Sequence, residues 1–351
     1  MHHLSRPNGP LELELFHLPR EPSMKLTSSS PRDDDTSKPT PSIWKRAVDL
    51  APTPVQPYLE LIRFDKPTGT MLTFWPSAWG LTLAAYRIDL PIDAYAWNLF
   101  RCLISAFILR SSACTVNDIF DREMDAGVER TKNRPLASGR ISVPSATIFL
   151  LAQYLIGVCF FCFTLDGIAL CSALFQLFPL FGIYPLLKRV TYWPQAWLGF
   201  AMNFSLITHW TAQVKALDVP LLAVALAGCW CWTMLYDTIY ACQDLEDDVK
   251  VGVRSTAILF GSSIRTWLNC CAIIFVLAFG VVGYMNHQAL PFLFVSVIGS
   301  AIHLSWQIYT VDLKSPASCW RNFRRNGHLG WIIWAGLVVD FAAKPMLRHD
   351  K

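Results

Sequence analysis

Residues 266–311 form a run of 46 without a single Asp, Glu, Lys or Arg. A helix needs about 20 apolar residues to cross the hydrocarbon core of a bilayer, so this one run has room for two crossings. The stretches 141–165, 167–187 and 190–214 also carry no formal charge. Over the whole chain only 16% of residues are charged and the mean hydropathy is +0.34, against about 25% charge in an average soluble protein. Disordered chains, secreted disulfide scaffolds and nucleic-acid binders are excluded. The expected fold class is an all-α integral membrane protein.

The apolar runs predict about nine transmembrane helices, near 68–86, 96–116, 143–165, 167–187, 193–213, 219–240, 266–285, 289–311 and 328–345. Residues 1–55 read as a polar, disordered N-terminal tail, with Asp33-Asp34-Asp35 and Pro39-Thr40-Pro41 inside it. Residues 56–351 form the polytopic domain. Most of the 11 cysteines, such as Cys229, Cys231 and Cys271, fall inside apolar runs and read as small packing residues. Cys159 and Cys162 have metal-like spacing but no partner pair.

With nine spans, loops alternate between two sides. Those after even-numbered spans collect fourteen basic residues, among them Arg130, Lys188, Lys250, Arg265 and Arg325; the others hold Arg87, Lys215 and Arg101. The positive-inside rule puts the even loops in the cytosol. An acid-containing N-terminus makes a poor mitochondrial presequence, so the expected address is the endoplasmic reticulum or another endomembrane rather than the mitochondrial inner membrane.

The same side gathers two acidic clusters. Taken as a helix, Asn117, Asp118, Asp121 and Asp125 fall within an arc of about 100°. Asp237, Asp244 and Asp248 fall within about 40° on the same assumption, with Glu246 pointing away. Carboxylate and amide oxygens without His or Cys select hard cations, Mg2+ above all, whose shell is completed by water and substrate phosphate. Interleaved Arg130, Lys132, Arg134, Lys188, Arg189, Lys250 and Arg254 can neutralise the rest of a diphosphate. The rival class is a transporter with an acidic cation site, although transporter carboxylates sit near mid-membrane on broken helices. Arg110 lies among apolar residues, where an unpaired guanidinium is costly. It either pairs with Asp118 or Asp121, or, like Arg134, binds a substrate carboxylate through its planar fork.

These residues also form a signature. Asn117-Asp118-x-x-Asp121-x-x-x-Asp125 with Arg130 and Arg134-Pro135-Leu136-Ala137-Ser138-Gly139, and Tyr236-Asp237-Thr238-x-Tyr240-Ala241 with Asp244-x-x-x-Asp248, resemble the paired motifs of the UbiA-type aromatic prenyltransferases. Arg63-Phe64-Asp65-Lys66-Pro67 and Tyr184-Pro185-x-x-Lys188-Arg189 are similar to that family's connecting segments. The resemblance covers roughly residues 55–345. It implies a helical bundle with a central cavity capped by both Asp motifs, and Mg2+-dependent transfer of an isoprenoid chain from its diphosphate to an aromatic ring. It further implies Asn117, Asp121, Asp244 and Asp248 as metal ligands supported by Asp118, Asp125 and Asp237. Arg63, Arg130 and Lys188 become diphosphate contacts, with Lys250 and Arg254 beside them, and Tyr184 and Tyr240 rings facing an allylic cation. Among branches of the family, the chain resembles fungal enzymes that prenylate phenolic polyketide acids, often with farnesyl diphosphate, in meroterpenoid synthesis. The alternative is a 4-hydroxybenzoate polyprenyltransferase of ubiquinone synthesis. The partners so implied are a prenyl diphosphate, a phenolic acceptor and the lipid bilayer, with no nucleic acid and no obligate protein partner.

Overall fold

The structure, a computed structural model, describes residues 42–349. Most of the expected tail, residues 1–41, lies outside them. Its remainder departs from expectation: α1 (Ile43–Asp49) is a helix, capped by the Ser42 side chain, which accepts from the Lys45 amide at 3.2 Å. After α2 (Gln56–Leu61), Glu60 ties this segment down by accepting from Lys45 at 3.2 Å and from Arg140 at 2.5 Å.

The described residues are helical throughout the domain. In order come α3 (Thr68–Ile88), α4 (Ile92–Gly127), α5 (Val143–Thr164), α6 (Gly167–Phe175), a π-helical turn (Gln176–Leu180), α7 (Phe181–Val190), α8 (Pro194–Asn203), α9 (Ser205–Val214) and α10 (Val219–Ala241). They are followed by α11 (Leu245–Val251), α12 (Thr256–Phe260), a 3-10 turn, α13 (Ile264–Met285), a second π-helical turn (Phe292–Ile298), α14 (Gly299–Thr310) and α15 (Pro316–His349). Six of the resulting rods are long and apolar enough to cross a membrane: Ile92–Gly127, Val143–Thr164, Gly167–Val190, Val219–Ala241, Thr256–Met285 and Phe292–Thr310. The other three predicted spans also fall on helix, at α3, at α8 with α9, and within α15.

Burial explains why α3 carries less apolar composition than a lipid-facing helix. It packs against α4, α9 and α15, and every residue from Leu72 to Tyr86 is buried. A helix enclosed by other helices needs no lipophilic exterior, and its hydroxyls bond back to its own carbonyls, as Thr73 does to Gly69 at 3.0 Å. Gly80 lets α3 touch α9, because a Cβ there would collide with the Leu206 carbonyl. On α5 the pattern inverts: Ile148, Leu151, Leu155 and Phe163 are exposed and form an apolar outer surface.

Two irregularities matter for function. Pro179 sits in the first π-helical turn, where a proline cannot donate to the helix ladder. Trp197 Nε1 donates to the Leu180 carbonyl there at 2.7 Å. The following α7 carries Tyr184 and Lys188 into the bundle end. The second irregularity is at Cys242–Asp244, where the chain leaves α10 before starting α11. The second acidic cluster is therefore not one helix, which corrects the assumption behind its predicted 40° arc.

Candidate active site

The α4 helix continues unbroken through the first acidic cluster, so Asn117, Asp121 and Asp125 repeat every four residues on a single rod. Lys188 reaches across from α7 and donates to Asp121 Oδ2 at 2.7 Å and to Asn117 Oδ1 at 3.0 Å. From the loop after α4, Arg130 grips Asp244 with both edges of its fork, Nε at 2.9 Å from Oδ1 and Nη2 at 2.6 Å from Oδ2. The Arg130 pair joins the two motifs, and the Lys188 pair ties the first motif to α7. Arg134 adds a third by donating to Asp125 at 2.7 Å.

Two cavities meet at this junction. The smaller, about 120 Å³, is lined by Asp121, Asp125, Asp244 and Asp248 together with Arg130, Arg134, Lys188 and Arg254. The larger, about 520 Å³, has an apolar wall that includes Leu72, Phe181, Leu198 and Met202, and polar groups at Arg63, Arg110 and Asn117. Its volume lies within the range of about 300–1,000 Å³ usual for small-molecule sites. Arg130, Arg134, Tyr184, Lys188, Asp237 and Tyr240 line both cavities and form the partition between them. Both tyrosine rings hold cations against their faces: Lys188 Nζ is 5.0 Å from the Tyr184 centroid and the Arg130 guanidinium 5.0 Å from that of Tyr240. Such faces stabilise positive charge.

Several expected roles change. Asp118, expected to support the metal ligands, lines neither cavity. It is 1% exposed and locked to Arg63 Nη2 at 2.6 Å and Arg134 Nη1 at 3.3 Å, so its charge is already compensated. Arg63 is consequently a brace as well as a cavity residue. Burial opposes its charge, but Asp118 outweighs that and holds its pKa above the ordinary guanidinium value. Lys250, expected at the diphosphate, is exposed and donates to Asp247 at 3.2 Å; two residues after Asp248 on α11, it lies about 160° round the helix from that acid. Arg254 reaches the smaller cavity, but its Nη1 donates to the Val190 carbonyl at 2.9 Å. Glu246 is exposed, on the side away from the acids. Asp237 and Asp248 are the two motif acids without an ion pair among the described residues. Burial, then the neighbouring Asp244 charge, pushes Asp248 up to about 7.

Arg110 settles one open alternative. It pairs with neither Asp118 nor Asp121, and its Nε is buried without a hydrogen-bond partner. The guanidinium lies against Gly69, where a Cβ would come within 2.5 Å of Nε. Two cavity residues, Tyr236 and Asp65, stand in the motifs without a role assigned to them, and the apolar wall of Leu72, Phe181, Leu198 and Met202 is not singled out at all. Tyr236 accepts from the Thr233 hydroxyl at 3.1 Å, and Asp65 has a buried Oδ1 with no partner. Each adjoins a residue already singled out in its motif, and that adjacency is the signal available in sequence.

The donor set suits a hard cation. Asp121 Oδ1 is buried and unpartnered, and the carboxylates lining the smaller cavity are joined there by no His or Cys. Among the described residues no three His, Cys, Asp or Glu side chains could hold a metal by themselves. Mg2+ commonly binds through one or two carboxylates and takes its other ligands from water and substrate phosphate.

Comparison with known proteins identifies the family and the fold. Residues 73–333 match the sequence model of the UbiA prenyltransferase family. The chain is 44% identical over 289 residues to UbiA prenyltransferase claS of Ampulloclitocybe clavipes, covering 82% of this chain and 92% of that one. It is 36% identical over 333 residues to the mitochondrial 4-hydroxybenzoate polyprenyltransferase of Bos taurus, covering 95% and 88%. A UbiA homologue from Aeropyrum pernix K1 has the same fold, with a TM-score of 0.65 at 21% identity over 77% of this chain and 97% of that one. A homologue from Archaeoglobus fulgidus solved with GPP and Mg2+ superposes with a TM-score of 0.59 at 17% identity, over 82% and 99%. The chain is an integral membrane enzyme of the UbiA prenyltransferase family.

Proposed function

We propose that this enzyme transfers an isoprenoid chain, farnesyl in the first instance, from its diphosphate to a phenolic or polyketide-derived aromatic acid in meroterpenoid synthesis. The observation that carries this reading is the pair of cavities: an acid-and-base chamber separated by two tyrosines from a larger one with an apolar wall and an Arg110 guanidinium that has no carboxylate partner among the described residues. The transporter reading falls with membership of an enzyme family.

Each chamber has a chemical task. Lys188, Arg130 and Arg134 bind the diphosphate oxygens, and Asn117 with Asp121, and Asp244 with Asp248, would hold Mg2+ through one or two carboxylates at a time. The metal, when bound, draws charge from the leaving diphosphate. The ion pairs of Lys188 with Asp121 and of Arg130 with Asp244 must be exchanged as the substrate arrives. Leu72, Phe181, Leu198 and Met202 surround the isoprenoid and keep water from the allylic carbon. The Tyr184 and Tyr240 faces lie at the partition, where positive charge develops. Arg110 holds the acceptor carboxylate and so directs the ring towards that carbon.

Nine spans with both Asp motifs facing the cytosol, in the endoplasmic reticulum or another endomembrane, complete the proposal. A second reading, 4-hydroxybenzoate polyprenylation for ubiquinone in the mitochondrial inner membrane, is favoured by the relatives of that name at 36–39% identity. The 44% identity to UbiA prenyltransferase claS, a relative not named for 4-hydroxybenzoate, is higher than theirs. Membranes carrying the enzyme, offered prenyl diphosphates of several lengths and several phenolic acids, should yield a farnesylated polyketide-type acid by mass spectrometry. Product from 4-hydroxybenzoate and long polyprenyl diphosphates alone would overturn the first reading and establish the second.

A further inference from the structure

A third cavity, about 210 Å³, lies at the other end of the bundle. It sits between the early turns of α4 and the last turns of α5 and α9, and its polar lining is Asn98, Arg101, Thr164, His209, Gln213 and Lys215. Along α4 it is some twenty residues from Asp121, about 30 Å at 1.5 Å per residue. Nothing in the transfer reaction uses it.

Its charges do not balance. Lys215 is paired with Asp166 at 2.7 Å. Arg101 has no carboxylate partner among the described residues: its Nη1 makes only a long bond to Asn98 Oδ1 at 3.4 Å, and its Nε is buried without an acceptor. His209 is 7% exposed, and its Nε2 is also buried and unpartnered. A guanidinium among transmembrane helices is costly unless something compensates it. Two unsatisfied nitrogens around a cavity of this size leave that compensation to a ligand. Beside it α4 presents Trp97, Phe100 and Leu103, 55%, 50% and 42% exposed, with the Arg101 guanidinium 5.2 Å from the Trp97 centroid. An aromatic and aliphatic wall next to a lone cation at a helix end suits a molecule with an anionic head and apolar tails.

The geometry points to a binding site for the phosphate headgroup of an anionic phospholipid at the bundle end opposite the Asp motifs, with Arg101 as its charge partner. The guanidinium fork takes the phosphate oxygens, His209 and Gln213 contribute hydrogen bonds, and the acyl chains lie along Trp97, Phe100 and Leu103. A free phosphate ion offers the same head without the tails, so the test separates the two.

Purified enzyme in neutral detergent is titrated with dioctanoyl phosphatidic acid, dioctanoyl phosphatidylcholine and inorganic phosphate, and adducts are counted by native mass spectrometry. Wild-type enzyme should bind the phosphatidic acid about tenfold more tightly than the phosphatidylcholine, the effect of one charge-assisted pair. Arg101→Gln should remove that preference. Ala212→Leu, which fills the cavity without touching a charge, should weaken the phosphatidic acid adduct as well, and it keeps the test open if the arginine variant misfolds. Both variants should retain prenyl transfer, which reports their folding independently. Equal retention of phosphatidic acid by wild type and variants overturns the site. Inorganic phosphate binding as tightly as the lipid, with the same dependence on Arg101, overturns the lipid assignment in favour of a soluble anion.

Discussion

Gly69→Ala offers a sharp test of acceptor recognition, because the new methyl meets one group above all. Its position lies 2.5 Å from Arg110 Nε, 2.7 Å from Nη2 and 2.8 Å from Cζ. Non-bonded heavy atoms settle near 3.5–4.0 Å, so the guanidinium must retreat by about 1 Å. It is the far end of a flexible side chain without a hydrogen bond at Nε, and it can move while the backbone stays. Alanine also favours helix over glycine by about 1 kcal/mol, so the melting temperature should hold or rise. A displacement of about 1 Å in a positioning group can cost on the order of 100-fold. We expect the acceptor kcat/KM to fall by about 10–100-fold, chiefly through KM, while the prenyl diphosphate KM stays put. The assay compares a phenolic acid with its methyl ester: wild type should prefer the acid, and Gly69→Ala should lose that preference. An unchanged acid KM in a folded variant would refute carboxylate binding by Arg110 and point to a neutral acceptor.

Asp121→Asn and Asp244→Asn should each lower kcat/KM by about 1,000-fold or more, and EDTA should abolish activity reversibly. Glu246→Ala, on the exposed face of α11, should be silent; loss of activity there would contradict the orientation of that helix. The carboxyl of Asp248 stays protonated below about 7, and a neutral acid is a poor metal ligand. The Mg2+ concentration for half-maximal rate should therefore climb about tenfold per pH unit below 7 and level off above it; a flat profile would remove Asp248 from the metal set. Cysteine-accessibility labelling should place Ser138 and Lys250 on one side of the membrane and Lys215 and His287 on the other. Ser138 and Lys250 on opposite sides would break the shared site.

What the sequence makes legible is what depends on local chain alone. Helices occur where uncharged runs predict spans, as at Val143–Thr164 and Val219–Ala241. The four-residue repeat of Asn117, Asp121 and Asp125 needs only an unbroken α4. Relations across the bundle are less accessible. Asp118 follows Asn117 in the same motif, yet its partner is Arg63, 55 residues away, and no spacing rule separates a metal ligand from an acid already claimed by an arginine. Lys250 follows Asp248 by two residues on α11, about 160° round the helix, so its outward turn is legible in the periodicity, while its place at the diphosphate rests on its interleaving with the acids and on resemblance. Arg110 illustrates the converse. An arginine in an apolar run signals that something must answer its charge, but only the packed structure shows that neither nearby acid does.

The two motifs stand on supports of unequal stiffness. The first belongs to a 36-residue helix with buried Asp121 and Asp125. The second ends on α11, seven residues long with none of them buried, attached to the first through Arg130 with Asp244 and a 3.3 Å bond from the Glu129 amide to Asp247. Local opening costs least where few apolar contacts must be broken. Amide exchange in α11 should therefore proceed through cheap, frequent excursions while α4 exchanges only on larger unfolding. The catalytic chamber is thus a fixed jaw and a hinged one. A diphosphate that takes over Arg130 dissolves the pair joining the jaws and must tie them together again through its own oxygens.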